Sequence, residues 1–435
     1  MQFLWRNKNL PLDQIQDFTS IDFFDLFQNC TLHNTTLGSV WHNQNVKSVR
    51  LKDRWFFYTG IIYFSDVESW LSKLDIDDIA SIHRSMKINA QGSWCLITNK
   101  HVTLVKDFFG SRPLAYFVED DVFTVTNMPG MINHFYGCHY NVTRNTIYTF
   151  STKGELLSKS KNIVFDYSAV STKHNMLDAM ERAADRYLTH GGTCGLGLSS
   201  GHDSGMVDAL CVNNTQHDVS CIATHIGDEN VLTLNARKQY RKTHNSSVIS
   251  KTFKSSALDS NTVLKAVEKY MGYNSDDFTD YIHASFVQGQ YFAKQNCTTA
   301  LIGVRSTYMH LPAWLGRNNV NFAGLRSYTP WTQFKFPKDM RLLFEDSLPY
   351  IDINSTTVYV FTDVVPYLLH GVDPVLFYFD NDIMQTFISL PQKYKNEVVI
   401  DTDHNSQLLW ITTDIMNKYN YPYNMEKKAN GPYVS

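Results

Sequence analysis

The stretch GLGLSSGHDSGM, residues 195–206, gathers residue types that can bind a polyphosphate. An apolar run ends at Leu198, and Ser199, Ser200, Gly201 and Ser204 then form a small-residue loop opening onto a helix expected from about Gly205. Small side chains let backbone N–H groups approach an anion closely, and a helix N-terminus adds partial positive charge. The hydroxyls of Ser199 and Ser204 can donate to phosphate oxygens. Bare phosphate would repel the Asp203 carboxylate, so its natural role is to hold a Mg²⁺ ion that bridges the phosphates. His202 fills the position between Gly201 and Asp203. A plainer reading stays open at this point: a small-residue turn that caps a helix through Ser204 or Asp203. The loop is not a Walker A motif, because no Gly-Lys-Ser/Thr follows it.

Such a loop needs a buried strand before it, a helix after it, and parallel neighbours to hold the strand. CGLGL (194–198) reads as that strand. VSCIATHI (219–226) and SSVISKTF (246–253) read as two more, with a polar helix over 232–243 between them. Strands alternating with helices predict a parallel sheet with crossover helices, which binds ligands at the carboxyl ends of its strands. Upstream, NMLDAMERAADRYLTHGG (175–192) has helical apolar spacing, a first-turn acid and glycines where the helix should stop.

The first part of the chain has another character. Segments 54–64, 92–99, 101–107, 113–120 and 122–127 are rich in β-branched and aromatic residues, and turn formers such as Gly110-Ser111 separate several of them. Amphipathic helices are expected over 67–74 and 77–86. This pattern predicts a layered α+β domain of antiparallel sheets. The expected division is 1–160 and 161–435.

Composition narrows the function classes. Of 435 residues, 43% are hydrophobic and 19% charged, which is globular rather than disordered. A net charge of -3 with no basic tract gives no electrostatic case for nucleic acid or an anionic membrane as partner. No window approaches the roughly eighteen unbroken apolar residues of a membrane helix. The N-terminal MQFLWRNKNLPLDQ does not read as a signal peptide. Seven scattered cysteines without a CxxC pair suggest neither a disulfide framework nor zinc, so a reducing cytoplasm is expected. His202, His217, His225 and His244 lack a metal-ligand spacing.

The loop resembles the SGGxDS pyrophosphate loop of the N-type ATP pyrophosphatases, with Ser200 in place of its first glycine. Three further segments follow the asparagine synthetase family in order. NAQGSWCLITNKHVTLVKDFFGSRPLAYF (89–117) resembles its amidotransferase segment, with Asn89, Gly92, Asp107, Gly110, Pro113, Leu114 and Tyr116 on the pattern and Lys106 in place of an arginine. FYFDNDIMQTFISLPQKYK (377–395) resembles its P-F-L-D…L-P motif, retaining Asp380. YPYNMEKKANGPY (421–433) resembles its lysine-bearing C-terminal motif, with Lys428 or Lys427 at the lysine. Together the four segments span most of the chain. The resemblance implies an Ntn-hydrolase-like αββα sandwich followed by a doubly wound parallel-sheet ATP pyrophosphatase domain, that is, α+β followed by α/β. It implies ATP and Mg²⁺ as cofactors, with Leu198, Ser199, Ser200, Gly201, His202, Asp203, Ser204 and Gly303 around ATP and Asp203 on the metal. A small-molecule or peptide carboxylate would be adenylated for attack by ammonia or an amine, and the resemblance allows a homodimer.

The sequence departs from this family at its P-F-L-D motif, where Val375 replaces the preceding arginine and Phe377 the proline, and at two further places. The family's glutaminase nucleophile is a cysteine exposed after Met removal, whereas Gln2 follows Met1 here. A carboxamide is no nucleophile, so no glutaminase activity of its own is expected, as in the β-lactam synthetases and lasso-peptide cyclases. The family's G-E-G-x-D-E loop reads Gly303-Val304-Arg305-Ser306-Thr307-Tyr308, without acids. Arg305 could neutralise phosphate directly, or be a surface arginine. Asp276, Asp277 and Asp280 could supply carboxylates, although a solvated helix start explains them more simply. Catalysis would rest on Lys428 and Arg305. The alternative is a non-catalytic relative acting as a binding or scaffolding subunit, and an RNA-modifying relative of the same superfamily has no basic module to support it.

Overall fold

The computed structural model describes residues 2–19, 30–43, 47–63, 66–214, 219–226, 230–244, 246, 248–253, 260–272, 281–303, 364–395, 398–401 and 406–423. Arg305, Lys427, Lys428, Asp276, Asp277 and Asp280 lie outside them. Two compact units divide the chain. The first comprises Met1–Val164, Leu258–Ala293 and Val358–Pro374; the second comprises Phe165–Ala257, Lys294–Thr357 and Val375–Ser435.

In the first unit the chain forms β1 (Phe3–Arg6), α1 (Leu12–Thr19), β2 (Cys30–Thr35), β3 (Gly38–Asn43), β4 (Lys47–Arg50), β5 (Arg54–Ile62), α2 (Val67–Ser72), α3 (Ile79–Met86), β6 (Ala90–Thr98), β7 (His101–Lys106), β8 (Ala115–Glu119), β9 (Val122–Thr126), α4 (Pro129–Tyr136), β10 (Tyr140–Asn141), β11 (Thr146–Ser151) and β12 (Leu156–Lys161). Two six-stranded sheets result, ordered β10-β8-β9-β1-β3-β2 and β12-β11-β7-β6-β5-β4, with antiparallel pairing throughout.

Side-chain alternation explains how these sheets layer. On β5, Trp55 and Phe57 join Cys95 and Ile97 of β6 in one core with Phe3, Trp5 and Val40 of the other sheet. Phe56 of β5 and Trp94 and Leu96 of β6 point the opposite way, into a second core with Leu71 of α2 and with Ile82 and Met86 of α3. Successive strand residues face opposite sides, so strands covered on both faces read as nearly continuous apolar runs. On the outer face of the first sheet, Ala115 and Phe117 meet Ile132 of α4, and Phe117 stacks on Tyr136 at 4.0 Å. The order is helices, sheet, sheet, helix, the expected αββα layering. Each apolar side chain so buried contributes about 1.5–3 kcal/mol relative to exposure.

The second unit is built on a mixed α/β pattern. Helix α5 (Lys173–His190) starts at Thr172, whose hydroxyl accepts from the Asn175 N–H. It leads to β13 (Cys194–Leu198), α6 (His202–Val212), β14 (Val219–Ile226), α7 (Val231–Thr243), β15 (Val248–Phe253) and, after the chain has supplied the first unit with helix α8 (Ser260–Met271) and nearly all of α9 (Tyr281–Lys294), to β16 (Thr299–Ile302) and to β17 (Asp373–Leu376), whose first two residues count with the first unit. The five strands form a sheet ordered β15-β14-β13-β16-β17, and the pairs β13–β14, β14–β15 and β13–β16 are parallel. Helix α10 (Asn381–Ser389) follows. Among the described residues no helix is long and apolar enough to cross a membrane, and all seven cysteines are free thiols.

Candidate functional site

The order of the parallel sheet locates the site. From β13 the chain builds outward to β14 and β15, then returns to place β16 on the other side of β13. Such a reversal opens a crevice between the carboxyl ends of the two diverging strands. Residues 199–204 leave β13 there, and Gly303 leaves β16. A Cβ on Gly303 would lie 2.7 Å from the Ser204 Cα and 3.0 Å from the Asp203 carbonyl oxygen, so glycine alone lets the two strand ends meet.

The loop itself is shorter than expected. Helix α6 begins at His202 rather than near Gly205, because Gly201 adopts the extended N-cap geometry, φ -66° and ψ 155°. Asp203 and Ser204 therefore sit in the first helical turn. The N-cap position is Gly201, not the Ser204 or Asp203 that the plainer reading offered as a cap, and a glycine has no side chain to fill that role. The serine hydroxyls are bound to each other instead, 2.7 Å apart; Ser204 Oγ accepts the Ser199 N–H at 3.1 Å, and Ser199 Oγ accepts the Gly201 N–H at 3.1 Å. One hydroxyl proton is thus used between the pair, and the other hydroxyl keeps its own. Ser200 reaches away from the loop, its Oγ accepting the N–H of Asn230, the N-cap of α7, at 3.0 Å. Leu198 is fully buried, while His202 and Asp203 are half-buried.

Residues behind the loop hold it in place. Tyr378 donates its hydroxyl to the Asp203 carbonyl at 2.8 Å, and burial, then the neighbouring Asp203 charge, push its phenol well above the ordinary value, so it remains a donor. Arg237 of α7 donates from Nη1 to the carbonyls of Ser199 at 2.5 Å and Gly201 at 2.9 Å, and from Nε to the carbonyl of Pro422 at 3.1 Å. One turn on, Arg241 pairs with Asp208 of α6, which also accepts from Tyr421. In the sequence α7 reads as a polar helix, and neither arginine stands out there. Thr233, Leu234, Arg237 and Arg241 recur at helical spacing and are all buried, and that face was the available signal.

Asp380 serves as the N-cap of α10, accepting from Asp382 N–H at 2.8 Å and Ile383 N–H at 3.2 Å, with Arg186 at 2.5 Å. Burial pushes its carboxyl up against the opposing pull of Arg186. Its place in the fold is that of a helix cap. No group of three or more His, Cys, Asp or Glu residues among those described is arranged to hold a metal. A Mg²⁺ ion at Asp203 would have that single carboxylate together with phosphate oxygens, a donor set that suits Mg²⁺ carried in on a nucleotide.

In the first unit, the segment 89–117 forms a buried polar knot. Asp107 accepts from the Gly92 N–H at 2.7 Å, the Ser111 N–H at 2.8 Å and the Ser111 hydroxyl. Gly60 and Gly92 face each other across β5 and β6 at φ +93° and +151°. The Asp373 carboxylate takes Arg112 Nε at 3.0 Å, Lys47 Nζ at 3.1 Å and the Gly60 N–H at 2.5 Å. Gln2 is fully buried and donates its carboxamide to the Leu368 carbonyl at 3.4 Å.

No protein-family model matches this sequence. No curated protein matches it. Among solved structures, glutamine phosphoribosylpyrophosphate amidotransferase from B. subtilis complexed with ADP and GMP is similar at 8% identity and TM-score 0.27, covering 58% of this chain and 81% of that one. The U34-tRNA thiolase from Methanococcus maripaludis with its 4Fe–4S cluster is similar at 12% identity and TM-score 0.30, over 60% and 68%. NMN synthetase from Francisella tularensis is similar at 11% identity and TM-score 0.22, over 60% and 97%. Scores this low leave the reading of the site to the chain's own residues.

Proposed function

We propose that this protein is an ATP-dependent amide-forming ligase of the asparagine synthetase type, without a glutaminase activity of its own. The observation that carries the reading is the loop 199–204 at the reversal point of the parallel sheet, where a helix opens at Gly201 and Gly303 approaches Asp203 and Ser204 from the neighbouring strand. ATP would lie with its phosphates over Ser199–Ser204 and its adenine near β14. Asp203 would hold Mg²⁺, which lowers the charge on the phosphates. A substrate carboxylate, aspartate or another small or peptide acid, attacks the α-phosphorus and expels pyrophosphate. Ammonia or a substrate amine then attacks the acyl carbon of the adenylate and expels AMP. Lys428 and Arg305 would stabilise charge on the transferring phosphoryl group. Gln2 in place of a cysteine is why the nitrogen would come from free ammonia or from the substrate. We place this chemistry in the cytoplasm, with neither nucleic acid nor membrane as partner; the family resemblance allows a homodimer.

Calorimetric titration with ATP, with and without Mg²⁺, tests the reading before any substrate is known. Wild-type protein should bind ATP in a Mg²⁺-dependent way, and Asp203→Ala should lose the metal dependence while keeping its fold. A folded wild type that binds no ATP would sink the ligase and favour a non-catalytic, scaffolding role.

A further inference from the structure

Arg237 has features that simple packing does not explain. It is completely buried, and no carboxylate among the described residues lies within ion-pairing distance of it. Its hydrogen-bond partners are three carbonyl oxygens, two in the loop and one at Pro422; the Tyr421 ring lies 5.4 Å from the guanidinium, and Nη2 has no hydrogen-bond partner. The guanidinium lies flat against Gly205 in the first turn of α6, where a Cβ would come within 2.4 Å of Nη2. An arginine stays charged when buried, and a charge buried without an acid is costly. Here the cost is compounded, because the N-terminus of α6 carries partial charge of the same sign. Arg241, on the same face of the same helix, has Asp208 to offset it.

We propose, resting on the polyphosphate reading of this loop, that Arg237 is a positioning residue for the bound phosphates. In a trans peptide the C=O and the following N–H point to opposite sides. By gripping the carbonyls of Ser199 and Gly201, Arg237 turns the N–H groups of Ser200 and His202 away from itself. Its charge, which no described carboxylate pairs with, adds to that of the helix end, and an arriving polyphosphate would supply the counter-charge. The Pro422 carbonyl holds the third edge of the guanidinium, so the loop's shape depends on the chain at 421–422 as well.

The test uses the full chain, with Mg·ATP and inorganic pyrophosphate as probes. Arg237→Lys keeps the charge but cannot bridge three carbonyls, and Gly205→Ala pushes the guanidinium aside while leaving it in the protein. Both should bind each probe at least about tenfold more weakly, with unchanged circular dichroism. In Arg237→Ala, added methylguanidinium should restore binding. Folded variants with wild-type affinity, or weakened binding that methylguanidinium never rescues, would reduce Arg237 to a packing residue. A wild type that binds neither probe would overturn the polyphosphate reading itself, and the proposal with it.

Discussion

Asp107 and Asp203 each sit in a motif-like stretch, and the fold treats their surroundings differently. Around Asp107 the polar groups are consumed internally: the carboxylate takes the Gly92 and Ser111 N–H groups, and the neighbouring Arg112 is neutralised by Asp373. Around Asp203 a helix starts at Gly201, and Arg237 behind it is buried, with Nη2 unbonded among the described residues. The first arrangement is complete as it stands and holds two strands in register. The second has no carboxylate paired with its guanidinium among the described residues, which is the feature the phosphate proposal uses. Both stretches resemble segments of one family, yet their hydrogen bonds differ: the first closes on itself, and the second is held from behind by Arg237.

Three substitutions press on this contrast. The largest effect is expected from Gly92→Ala. Its Cβ would fall 1.9 Å from the Thr59 carbonyl oxygen at a φ that L residues avoid, and relief means parting β5 from β6. A loss of about 3 kcal/mol or more is expected in urea unfolding; a variant as stable as wild type would contradict the described pairing. Next comes Asp373→Asn, which strands Arg112 and Lys47 and should cost about 3–5 kcal/mol at neutral pH. Burial raises the Asp373 carboxyl, but Lys47 and Arg112 outweigh it and hold the group below its usual range. A depressed carboxyl stabilises the fold above its unfolded value, about 3.9, and that contribution disappears as pH falls through the folded value. The gap between wild type and Asp373→Asn should therefore narrow on acidification below about pH 4, and a constant gap would reject this cause. The smallest effect belongs to Ser200→Ala, which frees the Asn230 N–H. A loss of about 1 kcal/mol with ATP affinity nearly unchanged is expected; abolished ATP binding would instead make Ser200 a direct ligand.

The parts legible in the sequence were those governed by local rules. The strands at 194–198 and 219–226 have the expected limits, and the helix expected over 77–86 starts from Asp78, whose carboxylate accepts the Ala80 N–H. Strands β5 and β6 were legible because burial on both faces demands long apolar runs. Strand β2, CTLHNT, was not, since it is an edge strand with several exposed residues and no apolar alternation. The start of α6 was misplaced because Gly201 can be loop or N-cap with equal ease. Arg237 and Asp373 escaped notice for another reason. Each acts through partners far away in sequence, and nothing local distinguishes a buried arginine from a solvated one.

The Arg112–Asp373 pair spans 261 positions of sequence. A ribosome adding about 5–20 residues per second needs on the order of ten to fifty seconds to reach the acid after making the base. During that interval the nascent sandwich has strands, turns and an apolar core, but a cation at its centre with no counter-charge. The first unit therefore cannot mature in the order in which it is synthesised. A fragment ending at Val164 would remain in that unfinished condition indefinitely, so one cut cannot separate the two units into independently stable proteins.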